Sequence, residues 1–362
     1  MKKNKRIVIK VGTKVITSAG RALDKDRVRD IASQIAEAAD AGTEVILVTS
    51  VAIGAGMSLV GAKRRPSNLN DLQAMASIGQ SHLMQVYGEC FRAKGYLAGQ
   101  MLLTQEDLDD RKRYLNIKHT IETLLSHKAI PIINENDTVA TDEIKCGDND
   151  RLSGLVSDLC QADKLIMLTD VDGLLDKDGS VIPLVRDITQ KIYSLGGSSD
   201  CDLGTGGMIT KLESAGRAMC SGIECVIANG KSKDVILRIL RQDAVGTVFK
   251  SSMAKFIAKK RWIAYSSKPK GSIRVDDGAK EVLVRKNRSL LASGIIGLSG
   301  TFRARDTVRI MDRSGNEFGR GLCNYSSEDL SKIKGLGSGK FKAVLGYEAR
   351  DEIIHKDELV IL

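Results

Sequence analysis

"RIVIKVG", residues 6–12, and "TEVILVTS", residues 43–50, flank a segment, Arg27–Ala41, in which Val28, Ile31, Ile35 and Ala38 recur at helical spacing. Both flanking runs are rich in β-branched residues and apolar on both faces. A strand covered on both sides belongs inside a parallel sheet, and a parallel pair needs a crossover such as the intervening helix. The alternation continues through a helical stretch around 70–94, "LAGQMLLT" (97–104), a helix near 112–127 and "AIPIINEN" (129–136). A charged, turn-rich segment (137–147) then precedes a helix from about 149, "KLIMLTD" (164–170), a helix opening at 207 and "ECVIAN" (224–229). This order predicts an α/β architecture, a three-layer αβα sandwich around a mainly parallel sheet. Residues 45–62 carry no charge and approach the length of a membrane span. Their Gly, Ser and Thr content instead suits a strand followed by a glycine loop.

The pattern changes near residue 255. "AKKRW" (258–262) leads into "SSKPKG" (266–271), and beyond it short runs such as "SIRV" (272–275), "EVLV" (281–284), "DTVRIMD" (306–312) and "KAVLGY" (342–347) replace the helices. The expected organisation is a first domain over 1–255, a linker over 256–270, and a small, mostly β, barrel-like domain over 271–362.

Composition narrows the function. The 362 residues carry a net charge of +10 with only 4% aromatic residues; this suits an anionic ligand or nucleic acid and argues against an aromatic platform for single strands. Seven cysteines without a CxxC pair exclude a disulfide scaffold or a zinc module, and fit a reducing, cytoplasmic setting. The basic head "MKKNKRIVIKVG" has its apolar run broken by Lys10, too early for a signal peptide, and no membrane partner is expected. His82, His119, His127 and His355 show no metal-like clustering, and no protein metal site is expected.

Parallel sheets bind ligands beyond the carboxyl ends of their strands. At those ends stand Lys10 with Gly12 and Thr13, Thr49 with Ser50, Asn134 through Asp137, and Thr169 with Asp170. In "DLGTGGMITK" (202–211), Met208 begins a helical face continued by Leu212, Ala215 and Met219. The glycines before it are then either a helix N-terminus that receives an anion, with Lys211 beside it, or simply a tight loop. In "CGDNDRLSG" (146–154), Asp148, Asn149 and Asp150 open a helix. They cap it, hold Mg²⁺ through waters, or orient a lysine. "GLGSGK" (335–340) lies in the β-rich tail without a strand before it or a helix after it, and reads as a hairpin or linker turn.

Together "VIKVGTKVIT" (8–17), "VTSVAIGAG" (48–56), "GQMLLTQEDLDDRKRYLN" (99–116), "IPIINENDTVATDEIKCGDNDRLSG" (130–154), "ADKLIMLTDVDGLL" (162–175) and "LGTGGMITKLESA" (203–215) resemble the glutamate 5-kinases of the amino acid kinase family. The tail, with "GSIRVDDGA" (271–279), "SLLASGI" (289–295) and "AVLGYE" (343–348), resembles a PUA domain. The resemblance implies the amino acid kinase fold and ATP-dependent phosphorylation of the L-glutamate γ-carboxylate, the first step of proline biosynthesis, with ATP and Mg²⁺ as cofactors. It implies that Lys10 and Lys211 contact the transferring phosphoryl group while Asp150 organises Lys10, and that Ser50, Asp137 and Asn149 bind glutamate. It assigns the nucleotide to Lys10, Thr169, Asp170, Thr205, Gly206, Gly207, Met208, Ile209, Thr210 and Lys211. It also implies a homo-oligomer, feedback inhibition by proline and hand-over of product to glutamate-5-semialdehyde dehydrogenase.

One departure stands out. The resembling family usually carries glycine after the substrate-binding serine, whereas this chain has Val51. Valine does not comfortably adopt positive φ and would crowd a ligand approaching the backbone. A second hypothesis, an RNA-binding protein with a vestigial kinase domain, rests on the PUA-like tail and the basic residues between Lys255 and Arg288.

Overall fold

The structure, a computed structural model, describes residues 5–18, 22–109, 111–139, 148–197, 207–251, 260, 263 and 269–362. The chain divides into two compact units, Met1–Leu108 with Lys112–Ser252, and Asp109–Arg111 with Met253–Leu362.

The first unit runs β1 (Arg6–Val11), α1 (Lys25–Asp40), β2 (Glu44–Val48), α2 (Ala52–Val60), α3 (Leu69–Arg92), β3 (Leu97–Leu103), α4 (Gln105–Asp109), α5 (Arg111–Ser126), β4 (Ala129–Glu135), α6 (Asp148–Leu159) and β5 (Lys164–Thr169). It continues through β6 (Leu184–Val185), α7 (Gln190–Ser194), α8 (Met208–Cys220), β7 (Glu224–Asn229), α9 (Val235–Leu240) and β8 (Thr247–Phe249). The eight strands form one sheet in the order β3-β4-β2-β1-β5-β7-β8-β6. Every pairing from β3 to β7 is parallel, β8 runs antiparallel to β7, and β6 pairs parallel with β8.

Two apolar clusters cover the sheet, as both-face burial requires. On one face Ile7, Ile9 and Val11 of β1 join Val28, Ile31 and Ile35 of α1, Leu83 and Tyr87 of α3, and Ile236 of α9. On the other, Val8 joins Ile121 of α5, Leu152 and Val156 of α6, and Leu212 and Ala215 of α8. Successive strand residues alternate between these faces. Lys10 therefore shares the α6/α8 face with Val8. Ser50 follows Ile46 and Val48 to that face, and Thr169 follows Leu165 and Met167. Thr49 and Asn134 fall on the α3 face.

The uncharged stretch 45–62 differs from expectation: after β2 it forms the helix α2 rather than a glycine loop. Gly61 ends that helix in the left-handed conformation at φ 74°, and Gly56 serves helix packing. A Cβ on Gly56 would lie 1.9 Å from the Met75 carbonyl oxygen, and one on Gly79 would lie 1.8 Å from that of Ala52. Gly56 and Gly79 are what let α2 and α3 touch backbone to backbone.

The second unit contains a five-stranded sheet and a two-stranded pair. Its strands are β9 (Gly271–Val275), β10 (Leu290–Leu291), β11 (Ile295–Ser299), β12 (Thr307–Met311), β13 (Glu317–Leu322), β14 (Glu352–Ile354) and β15 (Leu359–Ile361). The sheet order is β11-β9-β12-β13-β15, and β10 pairs with β14. Ile273, Leu283, Phe302, Ile310, Phe341 and Ile353 lie in its core.

Two runs read as strands are helices here. "EVLV" lies within the helix Asp277–Lys286, whose start is capped by the Asp276 carboxylate accepting from the Ala279 amide and whose last turn carries Arg285 and Lys286. "KAVLGY" includes most of the short helix Phe341–Leu345, closed by Gly346 at φ 79°. Of the two readings of "GLGSGK" the linker turn holds and the hairpin does not: it leaves the helix Ser327–Ile333, includes a 3₁₀ turn (Ser338–Lys340) and leads into that short helix, which the sequence reading did not expect there. No described helix is long and apolar enough to cross a membrane.

Candidate active site

Strand β1 lies at the middle of the parallel array, with β2 and β4 on one side and β5 and β7 on the other. The polar strand ends line up across it: Lys10 pairs in register with Val48 and Met167, and Thr169 with Asn229. Gly12 donates its amide to the Leu168 carbonyl at 3.0 Å. A Cβ on Gly12 would come within 3.1 Å of that carbonyl and 3.5 Å of Lys10 Nζ, so the turn after β1 has little room for a side chain.

Lys10 and Lys211, separated by most of the first unit's sequence, meet on one carboxylate. Lys10 Nζ is 2.7 Å from Asp150 Oδ1, and Lys211 Nζ is 3.1 Å from Oδ2. The Thr210 hydroxyl also donates to Oδ2, at 2.7 Å. Lys10 is 2%, Asp150 0% and Lys211 5% exposed. Asp150 stands in the first turn of α6 and Lys211 in the first turn of α8. The two helices pack directly, with Gly154 of α6 facing Ser214 of α8 at ordinary contact distance. On the same helix, the buried hydroxyls of Ser153 and Ser157 are satisfied by donating to the carbonyls of Asp150 and Ser153, at 2.6 and 2.7 Å.

Among the described residues in direct contact, two ammonium groups share one carboxylate, an excess of positive charge. Burial by itself would raise the Asp150 pKa, but the charges of Lys10 and Lys211 outweigh it and hold the carboxyl below its usual range. Burial lowers the Lys211 pKa, and Lys10 adds to that effect while Asp150 partly offsets it. A buried excess of positive charge is costly unless an anion completes it. Of the alternatives open for the 148–150 segment, Asp150 orients lysines; the side chain of Asp148 lies outside the described residues.

Thr169 Oγ1 donates to Asp170 Oδ1 at 3.3 Å, and Asp170 Oδ2 lies 3.2 Å from Lys14 Nζ. The hydrogen bond and charge from Lys14 overcome the raising effect of burial and depress the Asp170 pKa. Lys14 was not singled out from the sequence; its only signal is its position two residues after Gly12. Gly207 is the N-cap of α8 without a side-chain cap, and Met208, Ile209, Thr210 and Lys211 form the first turn. Thr205 and Gly206 lie outside the described residues.

Ser50 is buried at the end of β2, and the next residue has an unusual backbone. Val51 is the N-cap of α2 with φ 93° and ψ −6°, and it offers no side-chain cap. Its side chain lies within the apolar cluster on the α3 face. The backbone thus takes the left-handed conformation that valine disfavours, while the isopropyl group is buried in the core. Asn149 at the start of α6 has a buried Oδ1 with no hydrogen-bond partner among the described residues. Asp137 lies half-buried in the turn after β4. Gln80 of α3, which the sequence reading passed over, accepts from Asn134 Nδ2 at 2.9 Å, and Asn134 Oδ1 accepts from the Glu135 amide at 2.9 Å. No local sequence signal distinguishes Gln80 from the other polar residues of that helix.

Residues 5–229 match the amino acid kinase family, and residues 271–345 match the PUA domain. The chain is 45% identical to a glutamate 5-kinase of Caldanaerobacter subterraneus subsp. tengcongensis over 99% of this chain and 98% of that protein. It is 44% identical to a glutamate 5-kinase of Geobacter sulfurreducens over 100% of this chain and 99% of that protein. A solved carbamate kinase from Giardia lamblia bound to AMP-PNP aligns with 70% of this chain and all of its own at 17% identity, with a TM-score of 0.49.

Proposed function

The chain belongs to the amino acid kinase family, and from that premise we propose that it transfers the γ-phosphoryl group of ATP to the γ-carboxylate of L-glutamate, giving γ-glutamyl phosphate and ADP. The observation that carries this is the convergence of Lys10 and Lys211 on Asp150 at the carboxyl edge of the sheet. A carboxylate oxygen of glutamate attacks the γ-phosphorus, and the bond to the β-γ bridging oxygen breaks with its electrons leaving on ADP. Both partners are anions, so the protein's task is charge neutralisation and in-line positioning rather than covalent catalysis.

Lys10, on the central strand, neutralises the γ-phosphoryl oxygens where donor and acceptor meet. Lys211, at the uncapped N-terminus of α8, lies on the side of the leaving phosphates. Asp150 holds both ammonium groups and does not touch the substrate. Ser50, Asp137 and Asn149 bind glutamate on the β2/β4 side, and Thr169 and Asp170 contact the nucleotide on the β5/β7 side, with Thr205, Gly206, Gly207, Met208, Ile209, Thr210 and Lys211 assigned to its phosphates. Mg²⁺, when bound, would offset the negative charge of the phosphates. Both Asp150 oxygens are engaged by lysines, and no cluster of three ligating side chains occurs among the described residues. This suits an ion held by the nucleotide and water rather than by a protein cage.

We assign the kinase domain to residues 1–255, a linker to 256–270 and the PUA domain to 271–362. Proline as feedback inhibitor, a homo-oligomer and transfer of the labile acyl phosphate to glutamate-5-semialdehyde dehydrogenase belong to the same proposal. The RNA-binding alternative is not favoured, because the charged cluster of a phosphoryl-transfer site is intact. The test is ADP release by the purified protein with L-glutamate, L-aspartate and N-acetyl-L-glutamate. Turnover with glutamate that falls by about 10²–10³ in Lys10→Ala is expected for loss of a preorganised charge. No glutamate-dependent turnover, with salt-sensitive RNA binding retained, refutes it.

A further inference from the structure

Buried polar atoms are almost always hydrogen-bonded, so a buried donor left without a partner marks a place where something is missing. Gln80 of α3 presents one beside the end of β4. The residue is 8% exposed. Its Oε1 is satisfied by Asn134, while its Nε2 has no hydrogen-bond partner among the described residues. A side-chain amide carries both atoms on one carbon, so the open donor lies one amide width from the contact with Asn134. Asn134 is itself at the end of β4, next to the strand that ends in Thr49 and Ser50: the Thr49 amide donates to the Ile133 carbonyl at 2.9 Å. Gly79, the neighbour of Gln80, packs on the backbone of Ala52 and Gly56 in α2. Gln80 therefore bonds to the end of β4 from a helix whose preceding residue packs on the first turn of α2, the helix that follows Ser50.

A second orphan stands in the other helical layer. Asn149 Oδ1, at the start of α6, is a buried acceptor without a partner among the described residues. A donor on one side and an acceptor on the other match the carboxylate and ammonium groups of an amino acid. Asn134 is oriented on both sides, its Oδ1 accepting from the Glu135 amide and one of its two Nδ2 hydrogens donated to Gln80.

We propose that Gln80 is a substrate-binding residue whose Nε2 donates a hydrogen bond to a carboxylate of the amino-acid substrate, with Asn134 fixing the orientation of its amide. This rests on the glutamate kinase reading above and adds to it a group that selects the acceptor substrate. The amide pair also decides which way the glutamine faces: Asn134 Nδ2 donates, so Gln80 must present its oxygen there and its nitrogen to the open side.

The test separates these two functions of one side chain. Gln80→Glu keeps an oxygen for Asn134 and replaces the open donor with an acceptor, whereas Gln80→Met removes both. Steady-state kinetics of the full chain should show the apparent KM for L-glutamate rising about tenfold or more in each variant, the size expected for one lost bond to a charged group. The apparent KM for ATP should stay within twofold of wild type. Addition of L-glutamate should raise the melting temperature of wild type and raise it less in either variant.

A glutamate KM within twofold of wild type in both variants overturns the proposal, as does an ATP KM that rises in step with it, the mark of a general packing defect. If Gln80→Glu does not fold, Gln80→Met decides alone. Wild-type protein is measured alongside with aspartate and N-acetylglutamate. Turnover of one of these instead of glutamate refutes the substrate reading, and the KM comparison for that substrate then decides the role of Gln80. Wild-type protein that neither turns over nor is stabilised by any of the three refutes both.

Discussion

Replacing Val51 tests how the end of β2 is built. A β-branched residue at φ 93° is strained, by about 1–3 kcal/mol for such a backbone. Against this, the side chain is only 6% exposed and packs in the core. Val51→Ala deletes two buried methyl groups, worth about 1.6 kcal/mol at roughly 0.8 each, and leaves a residue that still disfavours positive φ. Val51→Gly deletes one carbon more but removes the strain. At an ordinary backbone position alanine is more stable than glycine by about 0.5–1 kcal/mol, whereas at positive φ the order reverses by roughly 1–2 kcal/mol. The expected ranking is therefore wild type close to Val51→Gly, with Val51→Ala lowest. Thermal melting resolves this, since about 1 kcal/mol moves the midpoint by roughly 2–4 °C in a domain of this size. Relief of strain beside Ser50 is also expected to lower the apparent KM for glutamate in Val51→Gly. A Val51→Ala protein more stable than Val51→Gly refutes the left-handed conformation, and an unchanged or higher KM in Val51→Gly severs it from substrate binding.

Asp150→Asn removes the charge that holds Lys10 and Lys211 together; we expect loss of most activity and a destabilisation of roughly 3 kcal/mol, measured by thermal melting at pH 7. Because the Asp150 pKa is depressed by folding, its contribution is fully present above the unfolded value of about 3.9 and disappears as pH falls through the lower folded value. The stability gap between wild type and Asp150→Asn should thus close only in strong acid. Burial lowers the Lys211 pKa, so the alkaline limb of kcat/KM, which reports the free enzyme, should fall below the ordinary lysine value of about 10.4, and it should be absent in any Lys211→Arg protein that retains activity. A limb that persists unchanged in Lys211→Arg assigns it to another group. Gly79→Ala would put a methyl group 1.8 Å from the Ala52 carbonyl oxygen, and should lower the melting temperature and raise the KM for glutamate by displacing α2.

The periodicity of apolar residues was enough to place the strands β1 to β5 and β7 and the major helices between them, because a strand buried on both faces and an amphipathic helix each leave a regular pattern. It failed where local composition and tertiary packing disagree. The glycines of "VAIGAG" read as a loop because glycine is a poor helix former, yet Gly56 and Gly79 are tolerated since they let two helices meet at their backbones. "EVLV" and "KAVLGY" are too short for period two and period 3.6 to be told apart, and in "EVLV" the flanking Asp276 cap and terminal Arg285 and Lys286 were the better guide.

The sequence by itself determined that Lys10, Ser50, Asn134 and Thr169 would share one rim, because each ends a strand of a parallel sheet and chain direction is common to all of them. Only the tertiary structure decided which of them face each other. Side-chain parity sends Lys10, Ser50 and Thr169 towards α6 and α8 and sends Thr49 and Asn134 towards α3. The close approach of α6 to α8 then sets Lys10 and Lys211 on opposite oxygens of Asp150. Contacts of that kind join residues far apart in the chain, and their distances are fixed by how layers pack rather than by any local pattern of residues.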